Sequence, residues 1–420
     1  MILSNYEFYA NCLKRVIDGE KFYNILNKDI KNFAAEVDEK KDAQAIIGSC
    51  IRHYLFFYYT LKTKFKLNND ELIYVVLYIL NDYYFTRRYK QEDLFETLND
   101  FTSKKGITLD VDSIFAYFNS KTPFELLKDE FDNNVNVKYF SLRYDVPEWI
   151  VAMISKQYSM TNAVKTIKAF SSKQKYFVKI NEKLHAKDEL KIKDTEFKPA
   201  TEGMYEYIGK TALRKHPLIN NFFLYQTNYF DNEIIKKCKI QNGDSIAVFD
   251  DVKTNLVLEL YNKASKENIF NFFSSDYSKL IKSLEYLRKY KHEKLIYDQC
   301  NVDELESRIA RKVNLFLVVP KSSNFANVNS SPEYLINFKQ NTLTELINYQ
   351  QKAIQEASKH VLIGGTLVYL TYTLNKKENN LIVEKFLKEN PGWHLVEEKT
   401  LFPNSVEVTC GYYAVLHREL

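Results

Sequence analysis

The chain has 420 residues, of which 27 % are charged and 45 % hydrophobic, and its formal net charge is +5. This composition is ordinary for a globular protein and leaves room for two or three domains. The longest apolar runs, at 54–61 and 72–80, are too short to span a bilayer. The N-terminus lacks the layout of a signal peptide. We therefore expect a soluble, cytoplasmic protein with no membrane partner.

The five cysteines are widely separated and form neither a CxxC motif nor a cluster with histidine. This spacing argues against a structural zinc site and predicts a reduced, intracellular chain that binds no metal. Positive charge is concentrated in residues 151–240, which contain 17 Lys and Arg against 9 Asp and Glu. Clustered positive charge attracts a phosphate backbone, so this segment predicts RNA contact. A solvated lysine-rich face is the open alternative.

Residues 1–120 carry apolar side chains near helical spacing, without an interrupting strand pattern. They predict an all-α bundle, with Asp70 and Asp93 at N-cap positions. A polar segment at 128–147 then leads to a basic region. From residue 241 short apolar strands alternate with helices, which predicts a parallel, doubly wound sheet. Two closing strands, at 394–398 and 411–418, predict an antiparallel edge.

The stretch from Gly364 to Asn379 resembles a motif of the Sun/RsmB family of rRNA cytosine-C5 methyltransferases. The family pattern reads roughly GGxLVYxTCSxxxxEN, and its Cys attacks the base. Here Glu378 and Asn379 match, but Tyr372 stands at the Cys position. The resemblance implies a multidomain chain with a NusB-like helical domain at 1–130 and a small α+β connecting subdomain at 144–235. A Rossmann-like class I methyltransferase domain would follow at 236–420.

The resemblance also implies a site for S-adenosylmethionine, and several of its residues are altered. At the family's DLCAAPGGKT element Lys253 and Thr254 match, but both glycines are missing, and Asp250 and Asp251 stand nearby. The acid expected for the ribose is replaced by Ser274. The altered element leaves Asp250, Asp251, Lys253 and Asp276 as vestigial cofactor positions.

Glycine is absent between Gly243 and Gly364, a span that contains two ligand-facing loops of this fold. Neither loop has a residue that adopts positive φ without cost, although Asn324 or Asn327 could do so at modest cost. We therefore expect that the protein binds no cofactor. Binding of S-adenosylmethionine is the alternative.

The second catalytic motif of the family, DAPCS, aligns with the stretch 318–322. Its Asp falls on Val318 and its Cys on Lys321, with Ser322 as the Cys position if the alignment shifts by one residue. Both family cysteines and the Asp are thus absent together. Cys300 is expected to be an inert, buried cysteine. These positions predict a pseudoenzyme without catalytic residues, although whether the chain is an enzyme stays open.

The basic segment supplies the remaining functional signal. The candidate RNA contacts are Lys173, Lys175, Lys179, Lys183, Arg87 and Arg88. Lysines hold phosphates, and neighbouring aromatic side chains can stack on unpaired bases. The favoured function is non-catalytic binding of structured RNA, specifically rRNA during small-subunit assembly. The alternatives are an active S-adenosylmethionine-dependent RNA methyltransferase with altered motifs and a protein-binding scaffold.

Overall fold

The computed structural model describes residues 6–25, 28–29, 37–132, 134–172, 175–184, 196–325, 328, 333, 338, 340–403 and 409–420. The chain forms two compact units. Met1–Ser171 and Val328–Phe338 make up the helical unit, and Ser172–Asn327 and Lys339–Leu420 make up the α/β unit. The domain boundaries given above stay a prediction. Within the described ranges, no helix is both long enough and apolar enough to cross a membrane.

The N-terminal region is helical, as predicted. Its helices are α1 (Tyr6–Ile17), α2 (Phe22–Ile25), α3 (Val37–Arg52), α4 (Leu55–Thr63), α5 (Asp70–Asn81), α6 (Gln91–Lys105), α7 (Val111–Ser120), α8 (Pro123–Glu130), α9 (Val137–Tyr144), α10 (Glu148–Gln157) and α11 (Met160–Phe170). Helix α5 is the central one, because every residue from Leu72 to Asn81 is buried. The resemblance to a NusB-like domain stays a prediction.

The N-caps predicted for this region are wrong. Asn69 caps α5 by accepting a hydrogen bond from the Leu72 amide, and Lys90 precedes α6 without a side-chain cap. Asp70 lies one residue after Asn69 and Asp93 three residues after Lys90, both in the first turns of these helices. There they still favour the helix, because a carboxylate stabilises the positive end of the helix dipole.

A single turn of π-helix, Asp82–Thr86, continues directly from α5. Buried Asp82 holds it by accepting hydrogen bonds from the backbone amides of Arg88 (3.2 Å) and Tyr89 (3.1 Å). The turn ends at Arg87, whose φ of 48° is left-handed. Such turns widen the helix locally and re-aim the side chains they carry. The effect here is to present Phe85 at the surface, 41 % exposed.

The α/β unit begins with a small antiparallel sheet. Its strands are β1 (Tyr176–Ile180), β2 (Phe197–Pro199), β3 (Tyr205–Tyr207) and β4 (Leu224–Thr227), in the order β2-β3-β1-β4. Short helix α12 (Pro217–Asn220) precedes β4, and α13 (Tyr229–Lys237) follows it. Buried side chains such as Val178 and Leu224 form a separate small core beneath this sheet.

The large sheet has the predicted alternation of strands and helices. Its elements are β5 (Ser245–Asp250), α14 (Thr254–Lys263), β6 (Ile269–Ser274), α15 (Tyr277–Ser283), α16 (Glu285–Lys289), β7 (Leu295–Gln299), α17 (Leu305–Arg308), β8 (Val313–Val319), α18 (Gln340–Lys359), β9 (Val361–Thr371), α19 (Asn380–Glu389), β10 (Trp393–Leu401) and β11 (Gly411–Arg418). The strand order is β10-β11-β9-β8-β5-β6-β7. Strands β5 to β9 run parallel, and β10 and β11 close the sheet antiparallel. This is the predicted Rossmann-like arrangement, and the carboxyl ends of its parallel strands meet at one edge.

Two irregularities occur in the pairing of the large sheet, one between β8 and β9 and one between β10 and β11. In β9, Gly364 has a φ of 78°, and a Cβ on Gly365 would stand 3.0 Å from the carbonyl oxygen of Asn314. The register between β8 and β9 shifts at this point, and the two glycines permit it. At the outer edge, β10 pairs with β11 through a register shift between Leu395 and Glu397.

Candidate functional site

Tyr372 follows the end of β9, at the position where the family pattern has its catalytic cysteine. Its side chain is 3 % exposed, and its hydroxyl donates a 2.7 Å hydrogen bond to the Asp231 carboxylate. The Phe230 ring packs edge-on against the phenol. The ammonium of Lys253 lies 3.1 Å from the ring centroid. Burial, followed by the nearby Asp231 charge, raises the pKa of Tyr372 well above its usual range. The phenol is therefore a hydrogen-bond donor here and stays protonated.

Asp231 is the centre of this arrangement and is completely buried in α13. Besides Tyr372, its carboxylate accepts hydrogen bonds from the side-chain amides of Asn228 (2.7 Å) and Asn255. Burial raises its pKa to about 6, although Lys253, Tyr372 and Asn228 each oppose that shift. Neither Asp231 nor Asn255 was predicted from sequence. No local motif marks them, because their role arises only when α13, α14 and β9 come together.

The end of β5 carries two of the predicted cofactor positions. Asp250 has a φ of 84°, and its carboxylate accepts a 2.9 Å hydrogen bond from the Lys321 amide. Burial raises the pKa of Asp250. Asp251 forms ion pairs with Lys253 (3.6 Å) and with Lys279. Although burial alone would raise the pKa of Asp251, these two cations hold it below its usual range.

The left-handed conformation of Asp250 was not foreseen, because the missing glycines pointed to the loss of such a turn. The chain adopts positive φ at an aspartate instead, at some conformational cost. In the loop after β8, Asn324 has a φ of 50°, as predicted for that residue. Asn327 lies outside the described residues. Both ligand-facing loops thus make left-handed turns without glycine.

The second strand ends at Ser274, which is buried, and Asp276 follows it exposed to solvent. Asp276 caps α15 by accepting a 2.9 Å hydrogen bond from the Lys279 amide. Ligands of doubly wound sheets lie just outside the carboxyl ends of the strands, and an acid after the second strand binds ribose hydroxyls. Asp276 therefore has both the position and the exposure for that role.

The end of β8 carries the positions of the family's second cysteine and its aspartate. Val318 is fully buried within the strand, so its side chain offers no polar atom to a ligand. The ammonium of Lys321 donates a 2.8 Å hydrogen bond to the Ser275 hydroxyl and lies 5.5 Å from the Tyr349 ring centroid. Cys300 is buried, and burial raises its pKa to about 11. It therefore stays a thiol at neutral pH.

Glu378 and Asn379, which match the family motif, are buried and form hydrogen bonds within the protein. Glu378 is fully buried and accepts four hydrogen bonds, from the Ser323 amide and hydroxyl (2.8 and 2.6 Å), Gln350 (3.0 Å) and Asn375 (3.0 Å). Four donors satisfy this carboxylate without a cation among them. The motif thus ties the loop after β8 to the loop after β9.

A cavity of about 520 Å³ and another of about 720 Å³ lie in the α/β unit, and the larger one adjoins Tyr372. Five cationic side chains line the larger cavity, against one carboxylate, Glu285. They are Lys175, Arg214, Lys253, Lys279 and Lys282. Arg214 and Lys282 are exposed, and neither forms an ion pair within the described part of the chain. This concave, positively charged surface is suited to an anionic ligand.

Three of the predicted RNA contacts lie in the described part of the α/β unit, and each has a partner within that unit. Lys179 pairs with buried Glu259 (3.0 Å) and is 18 % exposed, and the ammonium of Lys183 donates to the Ala264 carbonyl. Lys175 pairs with Glu206 at 3.3 Å. Arg87 and Arg88 belong to the helical unit, and Lys173 lies outside the described residues. The RNA-contact set therefore stays a prediction, and Lys179 and Lys183 have internal partners.

Comparison with known proteins bears on this site. Residues 252–417 match the sequence profile of the RsmB/F 16S rRNA methyltransferases. That span contains Lys253, Asp276, Lys321 and Tyr372, and it includes six of the seven strands of the large sheet. This part of the chain is therefore similar in sequence to the RsmB/F methyltransferases. The chain is accordingly an rRNA methyltransferase-like protein, as the Sun/RsmB resemblance implied.

Solved structures share the fold at low sequence identity. The crystal structure of PH0851 superposes with a TM-score of 0.70 at 14 % identity, over 92 % of each chain. A methyltransferase homologue from Pyrococcus horikoshii gives 0.57 at 14 % identity, over 68 % of this chain and 99 % of its own. NSun6 from the same organism, solved with SFG, gives 0.56 at 13 % identity, over 65 % and 98 %. No curated protein sequence matches the chain.

The expectation that the protein binds no cofactor is wrong. The RsmB/F match and the NSun6 structure, which contains the S-adenosylmethionine analogue SFG, both point to S-adenosylmethionine. The expectation relied on missing glycines, and the left-handed turn at Asp250 removes its physical basis. The residues at this edge of the sheet fit the cofactor. Asp276 would accept hydrogen bonds from the ribose, and the Asp250 and Lys321 side chains contact the preceding residue, Ser275. Among the described residues, no cluster of His, Cys, Asp and Glu suited to a metal occurs.

Proposed function

We propose that this chain binds structured RNA and S-adenosylmethionine and does not carry out cytosine-C5 methylation through a covalent thiolate step. The observation that carries the proposal is Tyr372, which fills the nucleophile's position with a buried, hydrogen-bonded phenol. The RNA we propose is rRNA, bound during assembly of the small ribosomal subunit. The match to 16S rRNA methyltransferases supports that choice of RNA.

The covalent route requires a group that adds to C6 of cytosine and so activates C5. A phenol whose pKa is raised by burial is a poor nucleophile at neutral pH. Lys321, at the second cysteine position, forms a hydrogen bond to Ser275, and Val318 supplies no carboxylate to the cytosine edge. All three chemical roles of the family motifs are therefore unfilled by the residues at those positions.

The RNA surface that we propose is the cationic cavity beside Tyr372. Arg214 and Lys282 at this cavity are exposed, so they are free to contact phosphates. Lys175 and Lys279 add positive potential, although each has a carboxylate partner. This differs from the lysine set predicted from sequence, because the ammonium of Lys179 is occupied by its ion pair with buried Glu259.

S-adenosylmethionine supplies an electrophilic methyl group when bound. For that reason an active RNA methyltransferase is the second candidate function. The exposed carboxylate of Asp276 and the open cavity beside Tyr372 favour it. Such an enzyme would have to modify an atom that is nucleophilic without covalent activation, such as a ring or exocyclic nitrogen.

One experiment separates the two candidates. The protein is incubated with small-subunit rRNA and S-adenosylmethionine that carries a radioactive methyl group, and labelled nucleosides are then identified. We expect RNA binding without incorporation of label. Label in 5-methylcytidine would overturn the proposal, whereas label in a different nucleoside would establish the second candidate. Failure to bind rRNA at low salt would remove both.

A further inference from the structure

We infer that the helical unit carries a second RNA site, a pocket that takes one unpaired nucleobase. It is a separate cavity of about 210 Å³, formed by α3, α4, the π-turn, α8 and α9. Its apolar wall consists of Phe56, Phe57, Phe85, Phe124, Leu127 and Leu142. The inference rests on the proposed RNA binding. It concerns the base of a nucleotide, whereas the cavity beside Tyr372 is proposed to contact phosphates.

Two of the wall's aromatic rings face solvent. Phe85 is 41 % exposed and Phe124 is 51 % exposed, which is unusual for phenylalanine in a unit whose other rings are mostly buried. The ring of His53 stacks on Phe85, with centroids 3.9 Å apart and planes 16° apart. The π-turn at Asp82–Thr86 presents Phe85 at this position. Flat, exposed ring faces of this kind are the platforms on which unpaired bases stack.

Cationic groups surround these rings. The Arg143 guanidinium lies 5.1 Å from the Phe124 ring centroid and donates a 2.6 Å hydrogen bond to the Tyr139 hydroxyl, which fixes its orientation. Arg52 is exposed at the pocket wall. The Glu333 carboxylate interacts electrostatically with its guanidinium. A guanidinium plane stacks on bases and also pairs with phosphate. The pocket thus offers partners for both parts of a nucleotide.

The single acid that lines the pocket within the described residues is Asp145, and it has partners of its own. Its carboxylate accepts a 2.8 Å hydrogen bond from the Leu55 amide and lies 3.8 Å from the His53 ring nitrogen. The hydrogen bond from the Leu55 amide offsets part of this negative charge. Charge complementarity favours a phosphate-bearing ligand, and the ring faces favour a base over an aliphatic side chain.

The test uses the full-length protein and a short unstructured RNA that contains 4-thiouridine. Irradiation should crosslink the RNA to peptides that contain Phe85 or Phe124, located by mass spectrometry. In a binding assay, Phe85→Leu combined with Phe124→Leu should weaken affinity for this RNA about fivefold or more, since stacking of one base contributes about 1–3 kcal/mol. Leucine keeps the wall apolar but removes the ring face. Phe95→Leu, a partly buried phenylalanine outside the pocket, is the matched control and should have no effect.

An abasic version of the same RNA separates base recognition from phosphate recognition. It should bind the parent and the double leucine variant equally. If the double variant binds the normal RNA as tightly as the parent, or if crosslinks avoid both peptides, the inference is overturned. Weaker binding of the abasic and normal RNA alike would also overturn it. Unchanged RNA binding on changing Arg214 and Lys282, with the crosslinks at Phe85 and Phe124 retained, would leave this inference standing while refuting the cavity site.

Discussion

The phenol of Tyr372 donates a hydrogen bond of 2.7 Å to the carboxylate of Asp231, which lies 141 residues earlier in the chain. The bond joins the end of β9 to α13, and the ammonium of Lys253 lies on the ring of the same phenol. The position that holds the catalytic cysteine in the family pattern therefore stabilises the fold here. This contribution can be measured as a free energy of unfolding.

Replacing Tyr372 with Phe should destabilise the protein by about 1.5–3 kcal/mol at pH 8, because a buried carboxylate loses a donor. Burial raises the pKa of Asp231 to about 6 in the folded state, above its usual 3.8. The folded state thus binds the proton more tightly, so stability falls as pH rises from about 4 to 6. Tyr372 lowers the pKa of Asp231, so this pKa rises further in Tyr372→Phe. The loss of stability caused by the substitution should therefore be smaller at pH 5, where Asp231 is protonated, than at pH 8. Urea unfolding of the parent and the variant at both pH values measures this change in the free energy of unfolding.

Tyr413→Phe is the matched control for that experiment. The Tyr413 hydroxyl donates a 2.8 Å hydrogen bond to Glu397, whose pKa is held below its usual range by Lys237 and Tyr413. Glu397 is therefore ionised at both pH values. The loss of stability caused by Tyr413→Phe should not grow between pH 5 and pH 8. Equal penalties for Tyr372→Phe at pH 5 and pH 8 would contradict the role assigned to Asp231.

The protein should form no covalent adduct with RNA that contains 5-fluorocytosine. Its phenol at position 372 has a raised pKa, and burial also raises the pKa of Cys300 to about 11, so neither supplies an anionic nucleophile at neutral pH. Denaturing electrophoresis after incubation with S-adenosylmethionine should show no shifted band. A band that persists in denaturant and disappears in Cys300→Ser would show that this thiol has replaced the missing one.

S-adenosylmethionine should bind with a dissociation constant in the micromolar range, which corresponds to about −8 kcal/mol. Asp276→Asn should weaken binding about tenfold by removing the charge that faces the ribose. The helix should remain intact, because asparagine also caps helices. Asp112→Asn, in the first turn of α7, is the control and should bind normally. Calorimetry that detects no binding by the parent would refute the cofactor assignment.

Arg214→Gln together with Lys282→Gln should flatten the salt dependence of rRNA binding. The log–log slope should fall by about 1.5, since each lost phosphate contact removes about 0.7–0.9. Stability should change by less than about 0.5 kcal/mol, because both side chains are exposed. An unchanged slope would mean that the cavity does not contact phosphate.

Lys179→Gln provides the contrast to that double variant. Glu259 is 5 % exposed and would lose its cationic partner, so the protein should be destabilised by about 1–3 kcal/mol. The salt slope should stay the same, because the ammonium points to Glu259 and Asn232. A fall in the slope without a loss of stability would restore Lys179 as an RNA contact.

The strands of the large sheet were predictable because each is a short apolar run bounded by polar residues. Strand β8, with Leu315 to Val319 all buried, is an example. Periodicity also identified the N-terminal helices. It could not distinguish Asn69 from Asp70 as the cap of α5, because both are good capping residues and adjacent.

The site was less predictable, because its contacts join distant parts of the sequence. A lysine count cannot show that Lys179 meets a buried carboxylate 80 residues later. A missing glycine indicates the absence of a cheap left-handed turn, and the chain makes that turn at Asp250 despite the cost. Motif comparison pointed to Tyr372, but its partner Asp231 follows no motif.

The two edges of the large sheet differ in their risk of aggregation. At β10 the irregular pairing between Leu395 and Glu397 locally disrupts the strand's regular geometry, which hinders the addition of a strand from another molecule. The opposite edge, β7, pairs with β6 in regular register and exposes Ile296 at 52 %. Its protection comes from its length of only five residues. When the protein is concentrated or heated, self-association should therefore begin at β7, and a lysine at position 296 should delay it.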